Sequence, residues 1–94
     1  PVVILVHAPQ SLMGMPVLNA GIWTGMALLY AETLGLATCV NGYIVNALTH
    51  NNAFKSHLTI PDDHQVFSCL LLGYGKKRFT NKVNRKEPSI NWLI

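Results

Sequence analysis

Few side chains in this sequence have the type and spacing for acid–base or nucleophilic work. Between Pro1 and Phe54 the only charged residue is Glu32, and the next acidic feature is the pair Asp62-Asp63. No Ser/His/Asp or Cys/His order stands in a signature context, and neither a P-loop nor a GxGxxG occurs. His50, His57 and His64 are evenly spaced along irregular chain. Zinc clusters usually contain at least one tight pair, so no metal is expected. Cys39 and Cys69 lack CxxC spacing and sit in apolar surroundings, ATCV and FSCLLL. They read as two reduced, buried thiols.

What remains is chemistry carried by a bound molecule, for which the protein supplies dipoles and cations. The small residues and Asn-Gly turn of Gly35–Gly42 let backbone N–H groups face a ligand, and Gly42 has no Cβ to hold it off. Lys82, Arg85 and Lys86 can neutralise a phosphate, Arg85 through its bidentate fork. A flat, partly apolar, phosphorylated cofactor matches both features.

The elements that must position these residues follow from hydrophobic pattern and punctuation. Val2–Val6 (VVILV) is apolar on both faces and closed by His7-Ala8-Pro9, which predicts a buried central strand with His7 as a satisfied strand-end residue. Gln10–Pro16 is a loop without chemistry of its own. A helix begins near Pro16 or Val17, with Asn19 as an alternative N-cap, and stops at Gly35 in left-handed conformation. Its apolar residues do not keep to one stripe, so it is expected to be buried, with Trp23 and Tyr30 in core or dimer packing and Glu32 inside. A membrane span needs ~20 apolar residues, whereas the dense stretch Ala20–Ala31 is shorter and has no basic flank. Leu36–Val40 is β-capable and ended by Asn41-Gly42, a strong turn signal. Tyr43–Leu48 reads as a short helix or strand, Thr49–Ser56 as polar connection, and Pro61-Asp62-Asp63 as a turn or helix start. Val66–Leu72 reads as a second buried strand. The pattern predicts one α+β domain over residues 1–94, a long central helix packed on a small, mostly antiparallel sheet, with a basic tail over 76–94.

Composition sets limits. Half of the 94 residues are hydrophobic, a large share for a chain that buries only about 60–65% of its unfolded surface. Apolar surface covered by a partner subunit, or by further parts of the same protein, is therefore expected. The chain opens at Pro1 within an apolar run and has no initiator Met, which suggests a piece of something longer. The net charge of +3 hides a nearly neutral body. Lys76, Lys77, Arg78, Lys82, Arg85 and Lys86 all fall in one short window, as in segments that meet an anionic partner. No signal peptide is apparent and nothing calls for an oxidising compartment, so a cytoplasmic location is expected.

Three stretches carry a family resemblance. NAGIWTGMALLYAETLGLATCVNGY resembles the central helix and following turn of the FMN-dependent nitroreductases, usually similar to A-x-x-LGLGTC and a glycine-containing turn. IPDDHQVFSCLLLGYG resembles a strand of that family, and RKEPSINW resembles the ending of members associated with ferredoxin-type donors. The resemblance implies a flavoprotein oxidoreductase with an α+β sandwich and FMN at a homodimer interface. Reducing equivalents would pass from NAD(P)H or ferredoxin, through the flavin, to a nitro, quinone or similar small-molecule acceptor. It places Val40, Asn41 and Gly42, and more loosely Thr38 and Cys39, by the reactive flavin edge. It gives Arg85 the FMN phosphate, with Lys82 and Lys86 as helpers, and it implies no nucleic acid and no membrane. Ala37 stands where the family often has Gly, and Gly75 where it often has Pro. The family's N-terminal basic and serine motif has no counterpart, so the chain resembles the C-terminal half of such a protein. A different class of reading is a non-catalytic domain that dimerises through the helix and binds nucleic acid or an acidic partner with its tail. Only Phe79 lies within the basic run, which is sparse for a single-strand binder.

Overall fold

The structure is a computed structural model that describes residues 1–11, 13–77 and 79–93. Arg78 of the basic window thus lies outside the described residues, as do Leu12 and Ile94. The chain runs β1 (Val2–Pro9), α1 (Pro16–Thr33), β2 (Ala37–Val40), α2 (Gly42–His50), α3 (Asn52–His57) and β3 (His64–Gly73). The sheet has three strands in the order β1-β3-β2, and β3 is antiparallel to both neighbours. The α+β arrangement expected from the sequence, a long helix on a small antiparallel sheet, is therefore present. The central strand is β3, however, and β1 lies at an edge with Val2 and Val3 exposed. A continuous apolar run reports that both faces of a strand suit burial. It does not report which strand has two hydrogen-bonded neighbours.

Helices cover both faces of β3, and a bulge divides its side chains between them. Val6 pairs with Ser68 but His7 pairs with Val66, so Phe67 has no partner. An extra residue of this kind turns its strand by one step. Ser68 meets α1, where Thr24 Oγ1 is hydrogen-bonded to the Ala20 carbonyl at 2.7 Å and to Ser68 Oγ at 2.9 Å. One hydroxyl hydrogen cannot serve both contacts, so Ser68 supplies the second. Val66 turns to the other face and packs with Leu48 of α2 and Ile60, against Leu5, Ile44 and Val45. The spacing of Ile44, Val45 and Leu48 is that of one helical face, which resolves Tyr43–Leu48 as helix.

Local chemistry explains the helix ends. α1 starts at Pro16, pre-set for a first turn, after Met15 in left-handed conformation (φ 47). Asn19 is not the N-cap. It lies inside the helix, and its Nδ2 donates to the Gly14 carbonyl at 3.0 Å. At the other end Gly35 (φ 72) donates to Glu32 and Leu36 donates to Ala31, each at 3.0 Å, satisfying carbonyls that the last turn leaves open. Asn41-Gly42 is a helix start and not a hairpin turn: Asn41 Oδ1 accepts from Ile44 N at 3.0 Å. Asn51 does the same for α3, accepting from Phe54 N, so most of the stretch expected as polar connection is helical. Asn suits both turns and N-caps, and the partner strand that would have made a hairpin is absent at this point.

The helix α1 is not buried in this chain. Only Ala20, Thr24 and Ala31 are buried, all small and all on the sheet-facing side. The large apolar residues point away, with Leu29 74% exposed and Met26 and Tyr30 each 67% exposed; Glu32 is exposed too. No described helix is long and apolar enough to cross a membrane. The accessible surface is 8417 Å², against about 5,400 Å² for a compact chain of this mass. Residues 74–93, outside helices and strands where described, contribute part of that excess and α1 another part.

Leu48, 1% exposed, is the centre of the packed face. Leu48→Ala should lower the unfolding free energy by about 2–5 kcal/mol, measured by urea titration. A loss below about 1 kcal/mol, near one buried methylene, would show that this face is not the core.

Candidate functional site

The candidate site is the junction between β2 and α2. β2 brings the chain alongside β3, where Val40 pairs with Leu70. The backbone N–H of Asn41 then donates to the Cys69 carbonyl at 2.9 Å, and its side chain caps α2. The turn is thus held on one side by the central strand and on the other by the helix it starts. The first turn of a helix leaves N–H groups without intrahelical partners and carries a partial positive charge. Asn41 takes that of Ile44. Among the described residues no hydrogen bond uses the N–H groups of Gly42 or Tyr43.

Gly42 is informative because the chain itself does not require it. Its φ is outside the left-handed region, and an added Cβ would meet nothing within 4 Å. Val40 and Tyr43 beside it are exposed. The junction can therefore accept a ligand against bare backbone, with free N–H groups and a helix dipole facing it.

Thr38 is half-buried, and Cys39 is exposed, contrary to the expectation of two buried thiols. It lies on a four-residue edge strand, whereas Cys69 sits on the central strand and is fully buried. Both are free. Burial pushes the Cys69 thiol up, and the nearby Cys39 adds to that rise.

The basic cluster does not join the junction. Lys82, Arg85 and Lys86 are exposed on chain without helix or strand. No side-chain hydrogen bond among the described residues connects them to Cys39–Gly42. The tail does touch β2 at its root, where a Cβ added at Gly75 would stand 3.2 Å from the Ala37 Cβ. Ala37 and Gly75, where the resemblance led to an expectation of Gly and Pro, thus lie beside each other.

Two further features lie away from the junction. A cleft of about 750 Å³ opens between Gln10, Ser11, Met15–Leu18, Gln65 and Phe67. No residue pattern marks it, because it depends on the bulge at Phe67 and the turn at Met15. It shares no wall with Cys39–Gly42, whose free N–H groups make the junction the better-founded site. The evenly spaced histidines do not converge: His50 Nδ1 is 2.9 Å from the Asn46 carbonyl, whereas His64 faces His7. Among the described residues no three His, Cys, Asp or Glu side chains are grouped to hold a metal.

Comparison with known proteins bears on this geometry. Residues 1–74 match the nitroreductase family. A nitroreductase from Bacteroides fragilis, solved with bound FMN, has the same fold with a TM-score of 0.81 at 20% identity. The match covers 99% of this chain and 51% of that one, so the chain spans about half the length of its structural relative. No curated protein matches the sequence.

The two thiols should separate in reactivity. At neutral pH a thiol reagent should modify Cys39 quickly and Cys69 only on unfolding, because a raised pKa keeps Cys69 protonated and burial denies access. Modification of both at one rate in the folded chain would contradict the packing of β3.

Proposed function

Because the chain belongs to the nitroreductase family, we propose that it is the flavin-edge and phosphate-binding portion of an FMN-dependent oxidoreductase. The reaction would pass reducing equivalents from NAD(P)H or ferredoxin to a nitro, quinone or similar acceptor. The observation that carries this reading is the junction at Gly42: a glycine that neither backbone conformation nor internal crowding requires, next to unpaired N–H groups at a helix start.

FMN, when bound, supplies the two-electron chemistry. The chain's own residues have simpler tasks. Val40, Asn41 and Gly42 would lie along the flavin edge, with the N–H of Gly42 available as donor. The positive end of α2 favours negative charge there. The capping side chain of Asn41 and its backbone bond to Cys69 fix the turn in advance, so little ordering remains to be done on binding. Arg85, with Lys82 and Lys86, would hold the phosphate by charge-assisted hydrogen bonds. Cys39, which precedes Val40 on β2, would border the site.

A homodimer fits the same reading. α1 turns Gly21, Gly25, Met26, Leu29 and Tyr30 away from the sheet. Added Cβ atoms at Gly21 and Gly25 would meet nothing within 4 Å. Glycine inside a helix costs about 0.5–1 kcal/mol relative to Ala, a cost that close approach by a second chain would offset.

Two substitutions test the assignments in the FMN-binding protein. Gly42→Val should leave the circular dichroism of the protein unchanged and weaken FMN about tenfold or more, the value of roughly one hydrogen bond. Unchanged flavin affinity and reduction kinetics would remove the junction from the site. Arg85→Ala should weaken FMN by about 1.5–3 kcal/mol at low salt, with the difference shrinking as ionic strength rises. A titration identical to that of the parent would remove Arg85 from the phosphate site.

A further inference from the structure

The bulge that divides β3 also creates a pair of imidazoles. If pairing continued regularly from Val6 and Ser68, His7 would stand opposite Phe67, and His64 would lie on the other face of the sheet. With Phe67 skipped, His7 pairs with Val66 and shares its face with His64, diagonally across two strands. Their Nδ1 atoms are 2.8 Å apart, with ring centroids at 5.1 Å and planes tilted by 51°.

We propose that His7 and His64 form a binding site for a divalent cation of the Ni(II) or Cu(II) kind, unrelated to the β2–α2 junction. Imidazole is the ligand these ions share. Two donors at about 2.0 Å from a metal and at right angles to each other are separated by about 2.8 Å, the separation found here. In the metal-free pair one ring carries its proton on Nδ1 and donates it to the other. With a cation bound, both rings keep their proton on Nε2 and present both Nδ1 lone pairs. His64 also lines a cleft of about 220 Å³, together with Gln10, Lys55, Asp62, Asp63 and Gln65, which leaves room for water to complete the shell. The exposed carboxylates of Asp62 and Asp63 lie beside it, in excess over the one cation there, Lys55, whose ammonium donates to the Asp62 carbonyl at 3.0 Å. Two protein ligands make an exchangeable site, unlike the closed four-ligand sites that hold structural zinc.

The test is a calorimetric titration of the chain with NiCl2. Saturable one-to-one binding is expected. His7→Gln and His64→Gln should each lower the affinity at least about tenfold, since even an outer partner of a ligating imidazole is worth that much. His50→Gln should leave it unchanged. As a second readout that needs no variant, paramagnetic Cu(II) should broaden the ring signals of His7 and His64 before those of His50 and His57. Absence of saturable binding, binding that survives either variant, or equal broadening of all four histidines would overturn the proposal.

Discussion

The placement of β3 between β1 and β2 is the constraint on which the rest depends. A strand with neighbours on both sides and helices on both faces must be apolar wherever its polar groups find no partner, and FSCLLL meets that requirement with one polar side chain, Ser68, which is hydrogen-bonded to Thr24. The bulge at Phe67 then decides what each face receives. Ser68 is delivered to Thr24 of α1, and Val66 to Leu48 of α2. A strict alternation would have set Val66 against α1 and removed it from the cluster with Leu48 and Ile60. One skipped residue thus sets the contents of two packed faces.

The contact with α1 explains the helix's unusual composition. Alanine and threonine face the sheet, so the helix can approach closely and its polar contact, Thr24 with Ser68, is satisfied where it is buried. Bulk is placed outside. In a lone chain that arrangement exposes large apolar side chains, an arrangement that normally marks an interaction surface. The excess accessible surface points the same way.

The site depends on the central strand as well. Asn41 is fixed by the Cys69 carbonyl on β3, and its side chain starts α2, so strand pairing and helix capping converge on one residue. The free N–H groups that follow are a by-product of starting a helix there. Rigidity at this point comes from the core, and openness comes from the lack of a side chain at Gly42.

Much of this was legible in the residue pattern. Gly35 stops α1 because its left-handed conformation is a local property of glycine. The apolar runs mark β1 and β3, and the family motifs single out Val40, Asn41 and Gly42, a stretch that the fold makes a junction with open N–H groups. Asn41-Gly42 shows where local reading ends, since the same dipeptide suits a hairpin or a helix start and only the next element selects one. The central position of β3, the exposure of Cys39 against the burial of Cys69, and the outward face of α1 were not legible. Each depends on which distant segment lies alongside, and residue periodicity carries no record of partners. The meeting of His7 with His64 is the clearest case. Both residues are plain in the sequence, yet only a one-residue slip in strand pairing puts them on the same face.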